Sequence, residues 1–470
     1  MMKALRAGNS RLLVALYERA ATAGLNSGRD AKENGSIRRV ARAGIAAFFV
    51  YCTGIGLTYC SQLVIARTVG ADIYGVYTYV FSWMVVLSYA AILGLDVALL
   101  KFLPAYQAEG AWSLARGMIK YAHQRVAAAG VVLICVGVSI LLASGAPPGL
   151  RSSFLVGFLL VPLLALVRIR CSVIRVFGGV VSALVPDRVV RDGMLIIFLV
   201  IGSLGFGWTV NATSLMAVAV VSSVVALGLT QLTLRRRRPK PLNTCAPMSD
   251  APMWRRSAFP LVIIGATEVL MNRTGVLLLG WTGDTTSAGI YGLVFNIALV
   301  ATLPRVAVNT LFAPEISSLH ARNDKAMIQI LVTRAASWSF GGGFCIALLL
   351  YLLAHPLLAW FGPEFEAGVP ALRVLLICQV ITASAGSQLY VMTMTGHERI
   401  AALLLIVSAA TNAGAGAVLI QLMGLTGAAL GTTVAFIGWN IAMSLFLWRR
   451  LKLFPGVLAI FCLPVKGENP

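Results

Sequence analysis

The chain has 470 residues, of which 59% are hydrophobic and only 12% are charged, and its formal net charge is +21. A soluble domain carries about 25% charged residues, so the composition excludes an ordinary soluble protein, and with it nucleic acid as the partner of the positive charge. Two runs contain no charged residue, Gly193–Leu234 with 42 residues and Ile400–Trp448 with 49. Each run fits two helical crossings, because about 20 apolar residues span a bilayer. The sequence therefore predicts a polytopic membrane protein.

Charged residues separate twelve predicted spans along the chain. The first six are Gly44–Ala66, Ile73–Leu95, Val126–Leu150, a span that begins in Ser152–Val167, and two in the 42-residue run. The other six are Ala258–Thr282, Ala288–Phe312, one within Ala335–Pro363, Val374–Gly396, and two in the 49-residue run. The predicted fold class is all-α and polytopic, with about twelve transmembrane helices in two six-helix lobes that are parallel repeats.

The basic residues are distributed unevenly between the two sides of the predicted membrane. The N-terminus, the even-numbered connections and the C-terminus hold 34 of the 38 Lys and Arg residues. The odd-numbered connections hold only Arg67, Arg151 and Arg373. Cytoplasmic connections are enriched in Lys and Arg. We therefore expect both termini in the cytoplasm.

A basic stretch, Arg235–Pro241, divides the chain near its middle. The predicted domains are a basic cytoplasmic N-terminal extension (1–42), a first lobe (43–234), a cytoplasmic linker (235–256), a second lobe (257–448) and a cytoplasmic tail (449–470). Both lobes have 192 residues, and Ile73–Gly75 and Ile290–Gly292 repeat the triplet Ile-Tyr-Gly at the same topological place. An even number of spans in each lobe gives parallel repeats, an architecture suited to alternating access.

The motifs of common enzymes are absent from the sequence. There is no Gly-x4-Gly-Lys-Ser/Thr phosphate loop, no Asp-x-Asp pair and no recognisable Ser/His/Asp arrangement. The eight Cys and four His residues do not have the spacing of metal ligands or of a disulfide framework. The sequence therefore predicts a protein that is not an enzyme, with no catalytic residue, no cofactor and no metal site.

Ionisable side chains inside spans are the candidate functional residues, because a charge at mid-membrane costs at least about 2.5–3.5 kcal/mol. The seventh span contains Glu268, Asn272 and Arg273. Glu268 and Asn272 are four residues apart and share a helix face, whereas Arg273 lies about 140° round from Glu268. These residues either line a wet lumen that handles an anionic substrate or coupling ions, or they stabilise helix packing.

Four further polar residues lie in or near the ends of spans. Arg305 and Asp96 belong either to the lumen or to the interface, where a long side chain reaches the headgroups. Gln62 and Asn296 either face the lumen or bond to neighbouring helices. The predicted substrate pathway comprises Arg273, Glu268, Asn272, Arg305, Asn296, Gln62 and Asp96.

Four segments between about residues 43 and 450 resemble one family of transporters. They are Gly54–Gly75, Leu93–Pro104, Leu311–His320 and Trp360–Pro370. In this order, they resemble segments of the polysaccharide transporters and oligosaccharide-lipid flippases of the multidrug/oligosaccharidyl-lipid/polysaccharide exporter superfamily.

The resemblance implies a protein of a bacterial inner (plasma) membrane. It also implies that the protein moves a lipid-diphosphate-linked oligosaccharide from the cytoplasmic to the periplasmic leaflet, for a polysaccharide such as lipopolysaccharide or exopolysaccharide. A cationic cleft between the lobes would replace the hydration of the diphosphate, with Arg273 and Arg305 as donors. A polysaccharide polymerase and glycosyltransferases would then be partners.

Two alternatives remain at this point. The first is a cation-coupled multidrug antiporter of the same architecture, in which acidic residues should dominate the lumen. The second is a membrane polysaccharide polymerase or glycosyltransferase. Such an enzyme needs a sizeable outer loop or an acidic cluster, and the sequence has neither.

Overall fold

The structure of the protein, a computed structural model, describes residues 30–205, 210–309, 325–457 and 459. Within these ranges the chain is almost entirely helical and forms no β-strand. Nine of the described stretches are long and apolar enough to cross a membrane. Two of these stretches each contain two spans, separated by a glycine with non-helical geometry. The two glycines are Gly70 (φ 75°) and Gly424 (φ 55°). A further span consists of three consecutive shorter helices, Val180–Leu184, Val185–Val190 and Arg191–Gly205. The described chain therefore has the twelve spans that the sequence predicts.

The spanning helices form two halves of six helices each. The first half contains α1 (30–69), α2 (71–92, continued after a break as Leu95–Ala108), α3 (Trp112–Ala143), α4 (Pro148–Gly178), α5 (180–205) and α6 (Ala212–Arg237). The second half contains α7 (Ala251–Trp281), α8 (Thr285–Asn309), α9 (Lys325–Leu352), α10 (Pro363–Met394), α11 (398–423) and α12 (425–446). Two short helices, Pro241–Thr244 and Ala354–Ala359, lie in connections.

Helix α5 begins earlier than the sequence suggests. The charge-free run starts at Gly193, but the helix starts near residue 180 and contains a π-helical turn, Val185–Val190. The charged residues of this stretch are accommodated inside the helix because they pair with one another: Arg191 Nη1 lies 3.3 Å from Asp187 Oδ1, one turn away. Charge alone is therefore a poor marker of where this span begins.

The two halves are in direct contact on the side opposite the basic connections. There α2 crosses α8 at two glycines, and a Cβ built on Gly289 would stand 2.5 Å from the Gly75 Cα atom. The Thr286 hydroxyl donates to Asp72 Oδ1 at 2.6 Å, and the Ala71 amide donates to Glu364 Oε2 at 2.8 Å. These contacts close the gap between the halves at that side of the protein.

The connection between the halves packs against the first half. Leu242 is only 1% exposed, and the Met248 amide donates to the Ser113 carbonyl at 3.0 Å. The fully buried Trp254 donates from Nε1 to the Tyr106 hydroxyl at 3.0 Å. The predicted linker 235–256 therefore contains the end of α6, a packed segment and the start of α7.

Several predicted features lie outside the described residues. They include Leu311–His320 of the family resemblance and most of the C-terminal tail. Of the predicted N-terminal extension, residues 1–29 lie outside, and the rest belongs to α1, which is helical from Asp30. The domain boundaries proposed from the sequence remain predictions.

Candidate functional site: a charged cavity between the two halves

A cavity of about 310 Å³ lies between the two halves. Residues from α1, α5, α7, α8, α10 and α12 line it, so both halves contribute. Its polar and aromatic lining comprises Tyr51, Thr58, Tyr59, Arg188, Glu268, Asn272, Asn296, Thr302, Arg305, Gln379, Phe436 and Trp439. Motion of one half relative to the other would change the shape of this space and its access.

Three charged side chains line the cavity. Arg188 comes from α5, Glu268 from α7 and Arg305 from α8. Glu268 and Arg305 interact electrostatically, but within the described part of the chain they are not among the pairs closer than 4.0 Å. Two guanidinium groups against one carboxylate make the lining positive overall. Glu268 is the one carboxylate among the described residues that line it.

Arg188 is held in position by the π-helical turn of α5. Its guanidinium lies over the Tyr51 ring, 5.4 Å from the centroid, and its Nε atom lies 3.9 Å from Asp187 Oδ2. Pro186 in this turn has no amide hydrogen, which favours a departure from regular α-helical hydrogen bonding. The wider turn and the aromatic contact together place a cation at the cavity.

A buried ionic network next to Arg188 connects this part of α5 to α1. Arg191 Nε donates to Asp192 Oδ1 at 3.0 Å, while the Asp192 side chain is almost completely buried. The Thr58 hydroxyl of α1 also donates to Asp192. Because a buried charge is stable only when it is paired and hydrogen-bonded, this network fixes α5 against α1.

The structure brings four of the seven predicted pathway residues together. Glu268, Asn272, Asn296 and Arg305 all line the cavity. Asn296 also joins the two halves through its backbone, since its carbonyl accepts a hydrogen bond from the Tyr59 hydroxyl of α1.

The other three predicted residues do not line this cavity. Arg273 points toward the first half, within electrostatic range of Tyr74, Tyr89 and Arg191. Asp96 pairs with Arg168 of α4 at 3.3 Å inside the first half. Gln62 is partly buried, and its Oε1 atom has no hydrogen-bond partner among the described residues. Their roles in the pathway stay predictions.

Sequence reasoning missed Arg188 and the aromatic residues Tyr51, Tyr59 and Trp439. One signal was available for Arg188: the segment from Asp187 to Asp192 has opposite charges four residues apart, the pattern of pairs along one helix face. Tyr51, Tyr59 and Trp439 carry no comparable signal, because aromatic residues are common throughout apolar helices.

The chemistry of the lining suits a polar or charged amphiphile. Among the described residues, no group of three or more His, Cys, Asp or Glu side chains could hold a metal ion. What the cavity offers is hydrogen-bond donors from guanidinium, amide and hydroxyl groups, a single carboxylate, and aromatic faces.

No family model matches the sequence, and no curated protein matches it; the similarity is to solved structures. The chain is similar to an inward-facing multidrug resistance MATE family transporter of the MOP superfamily, with a TM-score of 0.72 and 14% identity, over 88% of this chain and 96% of that one. It is also similar to an outward-facing MATE family transporter of the MOP superfamily, with a TM-score of 0.65 and 14% identity, over 90% and 96% of the two chains. A third similar structure is the MATE multidrug transporter DinF-BH in complex with R6G, with a TM-score of 0.66 and 16% identity, over 88% and 96%.

At this level of identity the likeness shows the fold. The chain has the two-lobed helical fold of the MATE transporters of the MOP superfamily. This confirms the fold class, and two of the three similar structures are named as members of the MOP superfamily. All three similar proteins are described as transporters. None of the three is a polysaccharide flippase, so the narrower resemblance is not confirmed.

Proposed function

We propose that the protein is an alternating-access exporter of amphiphilic organic solutes, of the multidrug antiporter type. The observation that carries this proposal is the charged cavity between the halves, in a fold shared with MATE multidrug transporters. Closure of the halves at Gly75 and Gly289, opposite the basic side, supports an inward-facing state. The TM-scores of 0.72 against the inward-facing and 0.65 against the outward-facing transporter support it as well.

Glu268 is the proposed coupling residue. It is the one carboxylate among the described residues that line the cavity. It interacts electrostatically with Arg305 without forming a salt bridge with it. A proton and an organic cation would compete for this carboxylate, so binding of one releases the other. Such competition is what an antiporter requires, because ligands can move an equilibrium only by their differential affinity.

A second candidate is the flippase for a lipid-diphosphate-linked oligosaccharide. A specific observation favours it: Arg188 and Arg305 both line the cavity, and planar guanidinium groups bind phosphates through paired hydrogen bonds. A polymerase and glycosyltransferases would be partners only in this case. The fold comparison favours the antiporter over the flippase, since the similar structures are multidrug transporters.

Binding measurements on the purified protein distinguish the two candidates. For the antiporter, we expect a fluorescent organic cation to bind more weakly as the pH falls, and Glu268→Gln to weaken its binding about tenfold, the order of one charge-assisted hydrogen bond. Glu109→Gln is the matched control, because Glu109 is an exposed carboxylate after α2, away from the cavity.

Binding measurements on Glu268→Gln and on a further variant, Arg305→Gln, give a different result for the flippase. A short-chain lipid diphosphate sugar would bind wild type and Glu268→Gln about equally, or the variant more tightly, and Arg305→Gln would weaken it. Binding of the cation that is independent of pH and unchanged in Glu268→Gln would contradict the antiporter proposal.

A further inference from the structure

A second cavity, of about 270 Å³, lies inside the first half on the side that carries the basic connections. It is formed by α3, α4, α6 and the short helix Pro241–Thr244, and it shares no lining residue with the cavity between the halves. Its polar lining comprises Arg116, Lys120, His123, Arg170, Gln231 and Arg238. Four of these side chains are cations at neutral pH, and among the described lining residues there is no carboxylate.

Two of these cations have donor atoms without a partner. The Nε atoms of Arg170 and Arg238 are shielded from solvent and have no hydrogen-bond partner among the described residues. Arg170 uses another nitrogen, Nη1, to donate to the Leu227 carbonyl at 3.1 Å, which fixes the position of its guanidinium. A buried hydrogen-bond donor without a partner costs desolvation free energy, and the cost is larger when the donor belongs to a charged group. Both Nε atoms therefore indicate a missing acceptor.

The remaining arginine is held by the connection between the halves. Arg116 Nη1 donates to the Asn243 carbonyl at 2.9 Å and to the Cys245 carbonyl at 2.5 Å. Burial, and then the nearby Arg116 guanidinium, lowers the pKa of Arg238, which follows the end of α6. The protein therefore holds like charges together in a preformed pocket that contains no compensating carboxylate from the described chain.

We propose that this pocket binds a phosphate-bearing anion. Phosphate oxygens are strong acceptors that match the fork of arginine donors, and phosphate in this pocket would supply the acceptors that Arg170 and Arg238 lack. The lipid headgroup of an anionic phospholipid and a free phosphate compound share this chemistry. Basic pockets between helices on the cytoplasmic side bind such headgroups in other membrane proteins. This inference does not depend on the transported substrate.

Bound phosphate would connect α4, α6 and the packed connection. Thermal unfolding of delipidated protein in a neutral detergent tests this directly. One arm adds phosphatidylglycerol against phosphatidylcholine, and a second adds inorganic phosphate against chloride at equal ionic strength. We expect one of the two anions to raise the Tm of the wild type, and the arm that responds identifies the source.

The variant Arg170→Gln/Arg238→Gln should bind that anion about tenfold more weakly or worse, since each removed bond to a charged group is of that order. Arg235→Gln/Arg236→Gln is the matched control, because it removes the same charge from exposed positions on α6. The proposal is overturned if neither anion raises the wild-type Tm, or if the control variant loses the response equally.

If the double variant does not fold, retention of lipid by the wild type gives an independent answer. Native mass spectrometry of wild type and of Lys120→Gln, at the exposed edge of the pocket, should show preferential retention of phosphatidylglycerol, or an adduct of phosphate mass, that is reduced in the variant. Equal retention of neutral and anionic lipid, with no phosphate adduct, contradicts the proposal.

Discussion

Gly289 of α8 lies against Gly75 of α2 so closely that a Cβ on Gly289 would stand 2.5 Å from the Gly75 Cα atom. Each glycine belongs to or adjoins one copy of the Ile-Tyr-Gly triplet, so the two copies of the repeat meet at the interface between the halves. Small residues permit the close approach of helices inside a membrane. The triplets therefore mark a structural contact as well as an internal repeat.

Gly75→Ala tests this contact. The new Cβ would stand 2.1 Å from the Thr285 carbonyl oxygen, so the helices would have to separate. Overpacking of this kind costs about 1–3 kcal/mol, and we expect a lower Tm of the detergent-purified protein. Gly56→Ala is the control, since a Cβ there meets nothing within 4 Å. Equal Tm values for the two variants would show that the crossing is not as tight as described.

Asp192→Asn should destabilise the first half. Asp192 is 5% exposed and bonds to both Arg191 and Thr58. Removing one partner of a buried ion pair costs about 3–5 kcal/mol, so we expect a strongly reduced Tm and lower yield of monodisperse protein.

The exposed Asp72 provides the comparison for Asp192, because Asp72→Asn keeps an acceptor for the Thr286 hydroxyl and removes a charge from the surface. We expect Asp72→Asn to change the free energy of unfolding by less than about 1 kcal/mol. Similar Tm losses in the two variants would mean that the network around Asp192 does not stabilise α5.

Arg273→Ala should abolish transport while the level of membrane-inserted protein stays near normal. Arg273 has no carboxylate within 4.0 Å among the described residues, and Arg191 lies within electrostatic range. A cation kept inside a span without such a partner is a candidate for function. Arg273→Lys should restore transport only in part, because lysine lacks the bidentate fork.

Arg151→Ala is the control for Arg273→Ala, since Arg151 is exposed at the start of α4. Transport at the wild-type rate by Arg273→Ala would remove this residue from the pathway and leave it a role in packing against α2.

Single cysteines in a cysteine-free background test the orientation. The charge bias predicts that the α3–α4 and α7–α8 connections lie outside and the α6–α7 connection inside. A membrane-impermeant maleimide added to intact cells should label cysteine at positions 147 and 284 but not at 240. Labelling of position 240 would reverse the predicted orientation of both termini.

Several features followed from the sequence because each depends on the solvent properties of a bilayer. The number of spans and the all-helical class follow from the length of apolar runs, since backbone groups in lipid must bond within a helix or a closed barrel. The division into two halves follows from the basic stretch near the middle of the chain. Glu268 and Asn272 shared a predicted face, and both line the cavity. For Arg305 and Asn296 the sequence left two locations open, and the fold places both beside Glu268 and Asn272 in the cavity lining.

The tertiary structure alone decided which charges meet. Arg188, 80 residues from Glu268 in the chain, reaches the same cavity because a π-helical turn and the Tyr51 ring direct it there. Arg273 is adjacent to Asn272 in sequence yet turns to the opposite half, because successive residues of a helix lie about 100° apart. The basic pocket with Arg170 and Arg238 was likewise hidden, since its cations come from separate parts of the chain that only folding brings together. Hydropathy fixes which segments enter the membrane, but side-chain packing between helices fixes what each segment faces.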